Sequence, residues 1–68
     1  MTQIVRITVA PEDSFYLIHF PDYPELFTQA THPREIEKMA RDLYGLVYEV
    51  PIEDIEIKIT AEATQFSL

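Results

Sequence analysis

Hydrophobic and polar positions change period twice along this chain. From Gln3 to Ala10 the order is QIVRITVA, in which Val5, Ile7 and Val9 alternate with Arg6, Thr8 and Ala10. Period two with β-branched residues predicts a strand over residues 3–10. Pro11, Glu12, Asp13 and Ser14 follow, the residue types of a turn. The aromatic and apolar run FYLIHF then predicts a second strand over residues 14–20, paired antiparallel with the first. A short apolar segment after PDYP predicts a third over residues 26–29. From Pro33 the period becomes helical: Ile36, Met39, Ala40, Leu43, Leu46, Val47 and Val50 share one face, with Glu35, Lys38, Asp42 and Glu49 on the far side. This predicts a helix over residues 33–49, with Thr31 or His32 at its cap and Pro33 in its first turn. Pro51 ends it, because the residue before a proline is pushed out of the α region. Period two returns where Ile55, Ile57 and Ile59 alternate with Glu56, Lys58 and Thr60, which predicts a strand over residues 54–60.

The order β-β-β-α-β makes residues 1–68 one α+β domain, a two-layer sandwich of one helix on a mostly antiparallel sheet. Such a layout leaves the other sheet face without cover. The second strand is apolar on both sides, with Tyr16, Ile18 and Phe20 on one and Phe15 and Leu17 on the other. A small sheet with an apolar outer face and free edges is expected to self-associate or to take a partner. Tyr44 and Tyr48 lie one helical turn apart at the flank of the buried stripe, and Gly45 falls on the face opposite the core. A glycine inside a helix costs about 1 kcal/mol relative to alanine, so either a neighbouring backbone approaches there or the cost is tolerated. Phe15, Leu17, Tyr44, Gly45 and Tyr48 are thus the candidate oligomer interface. At the C-terminus, Phe66 and Leu68 can add a strand to a sheet edge or fray.

Composition narrows the classes of function. A chain of 68 residues has a thin core, and without cysteine it has neither a disulfide frame nor thiolate chemistry. Five basic against twelve acidic residues give a net charge of −7. Nucleic-acid binding depends on lysine and arginine displacing counterions, so direct binding of DNA or RNA is not expected. A basic protein would instead be steered toward this chain, although the same charge also serves to keep a small protein soluble. No run approaches the roughly 18 apolar residues of a membrane span, and MTQIVRITV lacks the pattern of a secretory signal. The expected location is the cytoplasm. His19 and His32 have no H-E-x-x-H spacing or cysteine companions. Glu12, Asp13, Asp22 and Glu25 fall in loops where carboxylates are solvated, and no nucleophile-base pair is visible. Neither a metal, a cofactor nor catalysis is expected.

The stretch FPDYPELFTQA, Phe20 to Ala30, carries two of the five prolines. Pro21 and Pro24 fix φ near −65° and withhold two backbone donors, while Asp22 can accept backbone N–H groups in an Asx turn. The stretch resembles the HicB-like antitoxins, whose pattern runs Phe-Pro-Asp-Leu-Pro-Gly-Cys, an aromatic or apolar residue, then Thr-Gln-Gly. Phe20, Pro21, Asp22, Pro24, Phe27, Thr28 and Gln29 match without a gap. Tyr23 replaces a leucine, and Glu25, Leu26 and Ala30 stand where glycine, cysteine and glycine are common. The resemblance spans residues 3–60 and points to a short single-domain variant; strand one offers no acidic residue for a catalytic magnesium. It implies docking on HicA, a small basic ribonuclease toxin, whose catalytic face is blocked. Asp22, Tyr23, Glu25, Phe27 and Gln29 would then be the protein-binding residues. Full-length members add a C-terminal DNA-binding domain, and only about eight residues follow the last expected strand here, with nothing basic or helical among them. That favours an alternative, a stand-alone phage or host regulatory protein using the same fold on a target that is no toxin.

Overall fold

The computed structural model describes residues 1–60; the Phe66 and Leu68 tail lies outside the described residues. β1 runs Gln3–Pro11, β2 Tyr16–His19, β3 Phe27–Ala30 and β4 Ile55–Ile59. The helix α1 runs Ile36–Tyr48. The strands form one sheet in the order β3-β2-β1-β4. β1 pairs antiparallel with β2, Thr8 facing His19 and Ala10 facing Leu17. β2 pairs antiparallel with β3, Leu17 facing Gln29 and His19 facing Phe27. β4 returns to the other side of β1 in parallel register, Val5 facing Ile57 and Arg6 facing Lys58. The architecture is α+β, one helix on a four-stranded mixed sheet.

Alternation sorts the sheet into two faces. Val5, Ile7, Ile18, Ala30, Ile55 and Ile57 turn toward α1 and are buried there with Phe20 and Leu26. Phe20, Ile7 and Ile18 are the largest side chains sealed from water. Ile4, Arg6, Leu17, His19, Phe27, Gln29, Glu56 and Lys58 alternate with these and occupy the other face.

The helical segment differs from the sequence expectation at both ends. Pro33–Glu35 is a 3-10 turn, and α1 begins only at Ile36. His32 takes the cap position in extended backbone without a side-chain cap bond. Thr31 turns its hydroxyl to the Glu35 carboxylate, 3.4 Å away, instead of to the backbone. The buried line runs Ile36, Ala40, Tyr44, and it carries the stripe toward the tyrosines. Leu46 lies about 200° around the helix from Tyr44 and is 79% exposed; Val47 is 46% exposed. Both belonged to the expected buried face.

Gly45 also corrects the helical reading. It does not sit on an open outer face: a Cβ there would lie 2.9 Å from the Val50 carbonyl oxygen and 3.4 Å from the Ile55 Cδ1. The chain turns back across it because Glu49 adopts the left-handed region at φ 58°. The Val50 N–H then donates to the Gly45 carbonyl at 3.1 Å, the six-to-one bond of a Schellman motif. Pro51 follows, and a second 3-10 turn, Ile52–Asp54, leads into β4.

Candidate functional site: the PDYPEL turn and the tyrosine cluster

Two consecutive turns shape the segment between β2 and β3. The Tyr23 N–H donates to the Phe20 carbonyl at 2.9 Å, and the Leu26 N–H donates to the Tyr23 carbonyl at 2.8 Å. Pro21 and Pro24 each stand just after the residue whose carbonyl accepts, where a preset φ suits the turn. Phe20 and Leu26 are buried at either end. The segment is therefore pinned by two apolar anchors and raised between them.

Tyr23, midway, folds inward against α1. Its ring meets Tyr44 at 5.4 Å between centroids in an edge-on arrangement and Tyr48 at 5.3 Å. Tyr44 and Tyr48, one helical turn apart, stand 4.9 Å from one another. These separations fall in the favourable range for aromatic pairs. Tyr44 is 6% exposed. Its hydroxyl donates to the Gln3 Oε1 at 3.1 Å and lies 3.3 Å from the Tyr23 hydroxyl. The hydrogen bond with Tyr23, followed by loss of solvent, pushes the Tyr44 phenol up to about 12. The Tyr48 hydroxyl donates to Glu25 Oε2 at 2.9 Å. Loss of solvent first, then the Glu25 carboxylate, raises the Tyr48 phenol as well.

The turn's other acid faces the sheet. Arg6 donates through Nη2 to Asp22 Oδ1 at 2.6 Å and through Nε to Oδ2 at 3.1 Å. This fork is the geometry that arginine offers a carboxylate. The Arg6 hydrogen bond holds the Asp22 carboxyl below its ordinary range. Both side chains are half exposed, so the pair orients the turn more than it stabilises the fold.

Of the candidate protein-binding residues, the structure brings Asp22, Tyr23 and Glu25 into this one turn. Phe27 and Gln29 lie on the open sheet face instead, beside His19 and Leu17. Of the candidate interface residues, Leu17 is half-buried on that face between Ala10 and Gln29. Phe15 is half-buried beyond the β1–β2 turn, closed by the Glu12 N–H on the Phe15 carbonyl. Tyr44 and Gly45 are taken up inside the chain, and Tyr48 borders the turn. Sequence reasoning missed Gln3 and Arg6, which hold the cluster and the turn from β1. It also missed Ile4, 64% exposed, though the adjacent apolar pair Ile4-Val5 already marks one of the two as outward in a strand.

Among the described residues no three His, Asp or Glu side chains converge as a metal site requires, and no enclosed pocket is present. Among the described residues no helix is long and apolar enough to cross a membrane. The geometry defines an α+β domain with a pinned, acid-bearing turn beside a tyrosine cluster. No family model matches the sequence, and neither a curated protein nor a solved structure matches it.

Proposed function

We propose that this chain is a protein-binding module that docks a small basic protein through the PDYPEL turn, in the manner of a HicB-like antitoxin masking the active face of a basic ribonuclease, with the cytoplasm as its place of action and no catalysis of its own. The observation that carries the reading is the pinned turn. Phe20 and Leu26 bury its ends, Tyr23 locks its middle onto α1, and Asp22 and Glu25 remain exposed at its surface. A surface fixed before binding loses less conformational freedom on association. Each carboxylate spends one set of contacts within the chain, on Arg6 and on Tyr48, and keeps further acceptor sites for a partner's guanidinium or ammonium. The net charge of −7 steers a basic protein toward it at low salt.

The test uses charge-neutral variants that keep part of the internal contacts. Asn at position 22 can accept one of the two Arg6 hydrogen bonds, the other half of the fork being lost where an NH2 replaces a carboxylate oxygen, and Gln at position 25 can still accept from Tyr48. Against a basic ribonuclease captured from the native host, D22N with E25Q is expected to weaken binding at low salt by about tenfold or more. Its affinity should also depend less on salt than that of the unaltered chain. Unchanged affinity and salt dependence would sink the electrostatic reading. Capture of a partner that is neither basic nor a nuclease would move the assignment to the stand-alone regulatory alternative.

A further inference from the structure

We propose that the exposed apolar flank of α1 is the docking surface for an amphipathic helix of a basic partner, one that sets apolar side chains between lysines or arginines. The assignment rests on the proposed function only in taking the partner to be basic, and it concerns a surface other than the PDYPEL turn.

The helix carries more apolar side chains than the sheet covers. Ile36, Ala40 and Tyr44 fill the buried line. Met39, Leu43 and Leu46 form a second line beside it, spaced four and then three residues apart, with Val47 next to Leu46. At 3.6 residues per turn these four fall within an arc of about 100°, where residues three and four apart are neighbours. Met39 and Leu43 are half-buried against the core, while Leu46 and Val47 stand in water. The line therefore starts at the core and runs out to the surface over about 10 Å. A spacing of four and then three is the seam that a second helix follows.

The charges around this end of α1 select the occupant. Nearer its N-terminus, Lys38 pairs with Asp42 at 2.9 Å and Arg41 with Glu37 at 3.6 Å, which leaves that end balanced. From Leu43 to Ile57 there is no basic residue, and Glu49, Glu53, Asp54 and Glu56 lie in the interval. Glu49 comes three residues after Leu46. Glu53 adjoins Ile52, which reaches back to within 3.9 Å of a Cβ placed at Gly45, beside Leu46 in the chain. Both carboxylates are exposed, and among the described residues neither enters an ion pair. The last turn of α1 holds no basic side chain, so the partial negative charge of its C-terminal carbonyls adds to theirs. A second copy brings its own net charge of −7, and its Lys38 is already held by Asp42. Anionic lipid and nucleic acid are repelled as well. A helix with cations beside its apolar line satisfies both features together. Its apolar side chains cover Leu46 and Val47, and its cations face Glu49 and Glu53.

A synthetic peptide of about 18 residues, long enough to form a helix, is the probe, with leucine at the a and d positions of its heptads and lysine and alanine elsewhere. A scrambled peptide of the same composition is the control. Titrated into the full chain labelled with nitrogen-15, at physiological salt, the probe is expected to bind saturably and to shift the amides of Leu43, Leu46, Val47 and Glu49 most. The scrambled peptide should bind at least about tenfold more weakly, since it keeps the charge and loses the apolar line. Leu46→Ser is expected to raise the dissociation constant at least about tenfold, the loss of one covered leucine. Glu49→Gln with Glu53→Gln should flatten the dependence on salt. Absence of saturable binding, equal affinity for the scrambled peptide, an unchanged constant in Leu46→Ser or shifts confined to the PDYPEL turn overturns the proposal. So does a dimer of the unaltered chain in sedimentation equilibrium that Leu46→Ser dissociates, for a second copy then holds the flank. Leu46 is exposed, and circular dichroism verifies that its variant is folded; should it misfold, the shift map of the unaltered chain decides. The turn fails or stands separately, on D22N with E25Q against the captured ribonuclease.

Discussion

Gly45 and Glu49 show two residues meeting one backbone demand in opposite ways. At Gly45 the returning carbonyl of Val50 leaves no room for a Cβ, since it would sit 2.9 Å away. Alanine would gain up to about 1 kcal/mol in helix propensity, yet it must displace a carbonyl on the chain that closes the helix. Overpacking of this kind costs roughly 1–3 kcal/mol, so Gly45→Ala is expected to destabilise, measured as a lower urea midpoint at unchanged slope. A gain in stability would show that the Val50 carbonyl yields freely. Glu49 has the reverse problem. It occupies φ 58°, a conformation that costs a residue with a Cβ roughly 1 kcal/mol and that glycine adopts freely. Glu49→Gly is expected to stabilise by about 0.5–1 kcal/mol by the same measurement. No change would mean that the added freedom of glycine in the unfolded chain cancels the relief.

At the scale of elements, period-two alternation identified β1 and β4 and the helical period identified α1, because each buries one face and the sequence writes that face directly; β2 and β3 were legible only as short apolar runs between turn residues. The internal use of the turn was less legible. Asp22 and Glu25 read as free loop acids; Arg6 sits sixteen residues from the first and Tyr48 twenty-three from the second, and contacts so distant leave no local signal. The tyrosine cluster was half legible, since the spacing of Tyr44 and Tyr48 puts them together but nothing in it brings Tyr23 beneath them. The cluster makes a prediction in alkali. The Tyr44 phenol is raised to about 12 in the folded chain, against about 10 when unfolded. A group that holds its proton more tightly when folded adds stability that is complete below pH 10. That stability is lost as pH climbs from about 10 toward 12. Tyr48 shifts in the same direction. Unfolding free energies from urea titrations should therefore fall across this window, by up to about 2 kcal/mol for Tyr44. Tyr44→Phe should be less stable at neutral pH but show a flatter fall. An equally steep decline in Tyr44→Phe would assign the alkaline loss to other groups.

For the whole molecule, the helix stripe teaches how sequence and fold part company. Ile36, Ala40 and Tyr44 compete with Leu46 and Val47 for a sheet that covers only one side of the helix, and the tyrosine packing with Tyr23 decides the rotation. The core that results among the described residues is small: eleven apolar residues, of which Phe20, Ile7 and Ile18 are the largest fully enclosed. A domain of this length has a total stability of roughly 3–10 kcal/mol, while truncating a buried phenylalanine costs about 3–5 kcal/mol. Phe20 also closes the first turn of the PDYPEL segment through its carbonyl, so its ring anchors both core and site. Phe20→Ala is thus expected to abolish cooperative thermal unfolding at neutral pH, whereas Leu46→Ala should shift stability by no more than about 0.5 kcal/mol. A cooperative transition retained in Phe20→Ala would mean that the sheet and helix close over the vacated space. A large loss in Leu46→Ala would mean that the exposed flank of α1 is covered in solution.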